Sequence, residues 1–311
     1  LTAYIIRRIA FLVPICLGIL FVTFLLQAFI PTDAIEQMYA GRGTSQQTEE
    51  AVRIMREKYG YDKPWYERFV IYVGNVLRGD LGVSVRTRRP VWEDLRPRYV
   101  NTMILTGASL IVALVVGVGS GIVSAYYKDT IWDVVGQGIG LFGISMPAFF
   151  FGIILIMIFA VRLRWVPVLG QGDWRHLILP ALSLGLIEAA GLSRITRSGM
   201  LDVLNEDYVR TARAKGLREG RVVSRHALRN VLLPVVTLLG LQVGYLLGGA
   251  FIIENIFAWH GIGELAVKAI AWRDFTITQG IILISAATYV LVNLFVDILY
   301  VFLDPRIKYS K

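Results

Sequence analysis

The stretch DYVRTARAKGLREGRVVSRHALRNVLLP, residues 207–234, decides how the chain is read. Nine Lys and Arg fall between residues 193 and 230 of a 311-residue chain that is 55% hydrophobic and only 18% charged. A run this polar cannot cross a membrane, and a run this basic needs water, lipid phosphate or an acidic partner beside it. Residues 201–215 fit a helix with Leu201, Leu204, Tyr208 and Ala212 on one face, while Glu206, Arg210 and Arg213 point elsewhere. Gly216 is the residue type best able to end that helix through a positive φ. Beyond it Arg218, Arg221, Arg225 and Arg229 recur at intervals of three, four and four, which puts them in one stripe on a second helix. Leu233 and Pro234 mark the return to apolar sequence, with the proline tolerated in a first helical turn. The stretch therefore predicts a helix, a glycine turn and a basic helix set between two membrane spans.

Outward from it, six apolar windows can be read, at about 9–30, 103–127, 134–161, 177–195, 231–256 and 276–303. Each approaches the roughly twenty residues that a hydrocarbon core of about 30 Å requires. The fourth is short and contains Glu188. This composition lies outside the range of soluble domains, so the predicted class is an all-α polytopic membrane protein with six transmembrane helices. The first window is too long for a signal-peptide core and lacks a small-residue cleavage site, so it reads as a retained helix despite Arg7 and Arg8. With the N-terminus inside, inner segments hold fifteen Lys and Arg: Arg7, Arg8, Lys128, the nine of 193–230, Arg306, Lys308 and Lys311. Short outer loops hold five, Arg162, Arg164, Arg175, Lys268 and Arg273. The positive-inside rule therefore makes both termini cytoplasmic. The outer segment 31–102 carries twelve Lys and Arg, but it is long and also carries ten acidic residues, so the rule weakens there. A net charge of +9 spread over loops between spans is not the footprint of a nucleic-acid binder.

The outer segment is more than a linker. DKPWYERFVIYVGNVLRGD has Asp62 as an N-cap, Pro64 in the first turn and Gly79 past the end, with apolar residues at 66, 69, 70, 73, 76 and 77. It predicts a helix lying on the outer membrane surface with Trp65 and Tyr66 at the interface; a docking or gating role for an outside partner is the other reading. A weaker helix is expected at 48–59. Small residues in register, as in GVGSG (117–121) and GYLLGG (244–249), predict close helix packing.

Catalytic sets are missing from the sequence. His176, His226 and His260 stand far apart, and none has metal-ligand spacing. There is no G-x-x-x-x-G-K-[ST] loop to cradle a nucleotide and no G-x-S-x-G nucleophile setting. Any ATP that drives this protein must sit on another polypeptide. Cys16 is expected to pack within the first span. Among the charges in the spans, Glu188 sits mid-window and is the first candidate to line a pathway, since a buried charge must face protein or water. Glu254 and Asp297 lie near span ends, where water or a helix terminus would satisfy them. Pro147 and Pro180 are expected to bend their helices.

For the basic stripe, anionic lipid and a partner protein with a groove for a short helix both remain open; a glycine-broken pair of helices favours the groove. The order YVRTARAKG, HALRN, LLP resembles the cytoplasmic EAA loop of permease subunits of binding-protein-dependent ABC importers, in the dipeptide, oligopeptide and nickel family. RGDLGVSV with RRPV (78–91), GISMPAFFFG (143–152), GGAFIIENIFAWHGIG (248–263) and LDPRIKY (303–309) are similar to the same family. The EAA triplet itself reads Arg210-Thr211-Ala212, the interval from Gly216 to Pro234 is longer than the general importer pattern, and His260 stands where proline is expected.

The resemblance implies a type I ABC importer permease fold in a bacterial or archaeal cytoplasmic membrane. It implies a first segment and helix at 1–30, an extracytoplasmic segment at 31–102, and a five-helix core at 103–311 carrying a coupling loop at 196–230. Arg210, Thr211, Ala212, Arg213, Ala214, Lys215, Gly216 and Leu217 would seat in an ATPase, and Glu188 and Met146 would line the pathway. Implied partners are a second homologous permease, two ATP-binding cassette ATPases holding ATP and Mg, an extracytoplasmic solute-binding protein and membrane lipid, with no catalytic residue, metal or cofactor on this chain. The cargo would be a di- or oligopeptide or similar solute. A nickel or nickel-chelate importer of the same family is the alternative, and a self-sufficient secondary transporter or channel is the alternative of another class.

Overall fold

The computed structural model describes residues 2–28, 46–59 and 62–303. The chain tail from 304, with its three basic residues, and parts of the outer segment lie outside the described residues. Thirteen helices follow one another in the described chain: α1 Thr2–Ala28, α2 Gln46–Tyr59, α3 Trp65–Leu77, α4 Val91–Ala113, α5 Gly119–Tyr126, α6 Ile131–Ser145, α7 Ala148–Leu155, α8 Arg175–Leu204, α9 Asp207–Ala214, α10 Glu219–Arg221, α11 Leu228–Ile256, α12 Ile262–Ala271 and α13 Phe275–Leu303. Wider π turns at Leu114–Val118, Ile156–Arg162 and Val222–Ala227 join or extend them. The extended pairing among the described residues is one bridge between Val83 and Pro90.

Four helical runs are long and apolar enough to cross a membrane, Val91–Tyr126, Arg175–Leu204, Glu219–Leu247 and Phe275–Leu299, and Ala10–Leu25 and Ala148–Arg162 are shorter apolar helices. Each falls on one of the apolar windows. The window 134–161 differs from expectation because it is not one helix. Met146 is extended, at φ −112 and ψ 128, and separates α6 from α7. A residue ahead of proline is pushed out of the α region by the proline ring, and here nothing overrides that bias. Pro180 and Pro234, by contrast, sit inside the long helices α8 and α11. Pro234 is therefore not in a first turn, because the helix that returns to apolar sequence has already begun.

The chain forms two compact units. One comprises residues 102–263 and 291–303 of the described chain. Its organising element is α8, thirty residues long and buried along much of one side. Gly117 and Gly121, one turn apart, let α5 and the π turn before it approach α8 backbone to backbone. A Cβ on Gly117 would stand 2.7 Å from the Ala189 carbonyl oxygen, and one on Gly121 would stand 2.6 Å from that of Ser193. Leu105, Leu155, Leu179, Leu184, Leu246 and Ile253 fill one apolar cluster of this unit, and Leu192, Met200, Val231 and Val235 fill another. Glu254, expected near a span end with water or a helix terminus to satisfy it, is fully buried and meets the second of these, the first turn of α12. It accepts hydrogen bonds from Thr102 Oγ1 at 2.6 Å and from the Gly263 N–H at 2.8 Å, so the turn after α11 is tied to the helix at Thr102.

The other unit comprises residues 2–101 and 264–290 among those described. Val91 and Leu95 of α4 pack with Leu265, Ala269, Ile277 and Ile281. Arg98 donates to Glu264 at 2.5 Å, and Lys268 also pairs with Glu264. Burial works against ionisation of Glu264, but the two cations outweigh it and hold the carboxyl below the usual range. Helix α3 is capped by Pro64 with no side-chain hydrogen bond, so Asp62 is not its cap. Its inward face runs through Phe69 and Tyr72, whose rings meet Phe21 and Phe24 of α1, while Val70 and Leu77 of the expected apolar face are 70% and 79% exposed. Cys16, expected in packing, is exposed on α1.

Candidate coupling site

The predicted helix over 201–215 is two helices. Helix α8 runs on to Leu204, where the Asn205 side chain donates to the Leu201 carbonyl at 2.8 Å and closes the last turn. Glu206 is extended, at φ −69 and ψ 147, and redirects the chain into α9. That eight-residue helix turns Val209 and Ala212 inward, where they meet Val222 and the flanking side chains of Val203, Leu204 and Leu217. The inward face is therefore carried by Val209, and Tyr208 is 42% exposed. A one-residue shift of face follows from the break at 205–206, which restarts the helical phase.

The end of α9 is a Schellman motif. Gly216 has φ +73, its N–H donates to the Arg213 carbonyl at 2.9 Å, and the Leu217 N–H donates to the Ala212 carbonyl at 3.4 Å. The pattern satisfies two of the carbonyls a helix end leaves open, and it brings Leu217 back onto Ala212 as the motif requires. Outside this apolar knot, Arg210, Thr211, Arg213, Ala214, Lys215 and Gly216 are all exposed. Helix α9 thus presents a solvated ridge whose geometry is set from behind.

Two contacts brace the elbow across the glycine. Arg213 Nε donates to Glu219 Oε1 at 2.9 Å, an exposed pair whose worth is about 0–1 kcal/mol. Asn230 Nδ2 donates to the Tyr208 hydroxyl at 2.5 Å, joining α9 to the start of α11. Opposite charges six residues apart around a glycine were legible signals for the first contact; nothing local marked the second. Arg218, Arg221, Arg225 and Arg229 are all exposed, as a stripe should be, though a π turn at Val222–Ala227 runs beneath it.

A third anchor went unseen in the sequence. Arg197 on α8 grips Asp133, the third residue of α6, through Nε at 2.8 Å and Nη2 at 2.7 Å. Ser124 Oγ also donates to Asp133, and Gln137 Nε2 donates to it at 2.9 Å. Asp133 is buried, so the bidentate pair locks the start of α6 against α8 a few turns ahead of the elbow. Glu188 lies half-buried on α8, with its backbone carbonyl accepting from Gln242 Nε2 at 2.8 Å. Met146 is half-buried at the break between α6 and α7. Among the described residues, no three His, Cys, Asp or Glu side chains stand together as a metal site.

Residues 117–309 match the family of the binding-protein-dependent transport system inner membrane component. Over 307 residues the chain is 40% identical to the glutathione transport system permease protein GsiC of Escherichia coli O6:H1, covering 99% of each chain. It is 41% identical, with the same coverage, to the protein of that name from Pectobacterium atrosepticum. An inward-facing structure of the MetNI methionine ABC transporter superposes with TM-score 0.57 at 16% identity, covering 68% of this chain and 96% of that one. An amino acid ABC transporter structure gives 0.51 at 13% identity, covering 65% and 91%. The structural likenesses establish the fold, and membership of an ABC importer family sets aside a self-sufficient transporter or channel. Permeases of this kind form the pore in the inner membrane and leave ATP hydrolysis to partner ATPases, working with solute-binding proteins. From its fold and from its full-length similarity, this chain belongs to the family of binding-protein-dependent transport system inner membrane components, as a multi-pass, non-catalytic permease subunit.

Proposed function

We propose that the chain is half of a two-permease pore importing di- or oligopeptides or a glutathione-like solute, and that residues 207–217 are its seat on one of two ATPases. The observation that carries the coupling role is the construction of α9: Val209 and Ala212 fix the helix from behind while Arg210, Thr211, Arg213, Ala214 and Lys215 form an exposed face. A short helix with one committed face and one open face suits a groove on a partner. The cargo class is supported by full-length similarity to proteins named as glutathione permeases.

In this reading six spans place both termini in the cytoplasm. ATP and Mg bind on the ATPases, whose closure swings the spans between inward-open and outward-open states as a rigid-body change. Residues 1–30 and 31–102 meet the loaded solute-binding protein, and the loop at 196–230 of the 103–311 core transmits the stroke. Glu188 and Met146 face the pathway. Cross-linking tests the seat: in the assembled importer, a bifunctional thiol reagent on Ala214→Cys captures an ATPase subunit, with a yield that changes when ATP is added. If Ala214→Cys captures no ATPase while a cysteine placed at Arg225 does, the seat lies on the basic helix instead.

A further inference from the structure

Helices α6 and α8 border an open cavity of about 600 Å³ whose polar wall includes Gln137, Ser193, Arg194, Arg197 and Ser198 and whose apolar wall includes Val134 and Ala190. We propose that it seats the headgroup of an anionic phospholipid, with Arg194 holding the phosphate.

The two arginines are not equivalent. Arg197 is committed to Asp133 through both ends of its guanidinium, so its charge is already matched. Arg194 is exposed, enters no ion pair with a described residue, and lies toward the C-terminal end of a membrane-length helix. Ser198 follows one turn later on the same face and adds an exposed hydroxyl to the same wall. Together they offer a fork of donors and no carboxylate, which suits a phosphate diester.

The level of the cavity fits a headgroup. The bonds joining Ser124, Asp133 and Arg197 bring the end of α5 and the start of α6 beside this part of α8. Within a few residues of them Tyr126, Tyr127 and Trp132 are 43%, 46% and 58% exposed, the aromatic residues that favour the membrane interface. Lys128 lies in the same turn, on the side the positive-inside rule makes cytoplasmic, where anionic lipid is concentrated. Val134 and Ala190 supply apolar wall from which a free inorganic anion would gain nothing, whereas a glycerol backbone with its acyl chains would cover it.

Native mass spectrometry of the detergent-purified importer tests this, with dioleoyl phosphatidylglycerol, dioleoyl phosphatidylcholine and inorganic phosphate as probes. The expected result is one phosphatidylglycerol held in preference to phosphatidylcholine, with Arg194→Gln weakening it about fivefold and Arg221→Gln on the basic stripe leaving this high-preference lipid in place. Val134→Trp, which intrudes on the apolar wall and keeps every charge, weakens lipid binding at least as much, and it decides the matter alone if Arg194→Gln cannot be purified. Retention of phosphatidylglycerol by either cavity variant at wild-type affinity overturns the proposal. So does equal binding of phosphatidylcholine, or displacement of the lipid by inorganic phosphate at matched concentration, which would assign the site to a free anion.

Discussion

Replacing Gly216 isolates the elbow from everything around it. At φ +73 an L-residue is strained, yet a Cβ there would meet no atom within 4 Å, so the penalty is conformational and involves no clash. Left-handed backbone costs an L-residue about 1–2 kcal/mol, and a β-branched side chain lies at the upper end. Against this stand the two capping hydrogen bonds of Gly216 and Leu217, each worth roughly 0.5–1.5 kcal/mol net. The terms are comparable, so alanine should bias the elbow only slightly, whereas valine should offset most of what holds it. A loss of about 2 kcal/mol moves the ratio of closed to open elbow by roughly thirtyfold. Asparagine tolerates the left-handed region and should preserve the geometry. The assay is solute uptake per ATP hydrolysed in proteoliposomes holding the permeases, the ATPases and the binding protein. Gly216→Val should uncouple hydrolysis from uptake, with transport falling severalfold, while Gly216→Asn stays near wild type and both reach the membrane in equal amount. Equal loss in the valine and asparagine variants, or normal uptake with valine, refutes the reasoning.

Asp133→Ala should destabilise the purified permease by about 3 kcal/mol, because it leaves the Arg197 guanidinium without its partner; Arg197 keeps a quarter of its exposure, which places the effect at the low end for buried pairs. In a double-mutant cycle with Arg197→Ala, melting should report a coupling of roughly 1–3 kcal/mol, and additivity would count against the lock. Glu264 has a depressed folded pKa, so its contribution is fully present above the unfolded carboxyl value of about 4.3 and is lost as pH falls below it. Melting temperature should therefore drop on acidification through that window, and Glu264→Gln should flatten the drop; an unchanged profile in the variant would reject the assignment.

What could be read from the sequence was local. Apolar windows located the membrane-length helices because span length is a composition property, and the left-handed Gly216 followed from one glycine at the end of one amphipathic pattern. What failed depended on packing. Pro147, expected to bend one helix, instead stands between two, while Pro180 and Pro234 stand inside long helices, and no feature of the three local sequences separates them. For Glu254 a helix terminus could be expected and is found at Gly263, nine residues on, but its other partner, Thr102, lies 152 residues away. Asp133 and Arg197 are 64 residues apart, and neither stands out alone in a chain with 32 Lys and Arg. The break at Asn205 and Glu206 shifted the buried face of α9 from Tyr208 to Val209, a change of one residue that periodicity cannot resolve near a helix boundary.

Helix α8 has one further mechanical consequence. Its thirty residues make a rod about 45 Å long, clamped against glycine-lined backbone and stapled by a guanidinium. A stiff member of that length works as gearing: a tilt of about ten degrees at one end carries the other by about 8 Å, a whole spacing between packed helices. The give of this unit is then expected at its helix breaks, at Asn205 and Glu206 and at Met146, and in the proposed coupling a small stroke arriving at the first becomes a large displacement at the far end.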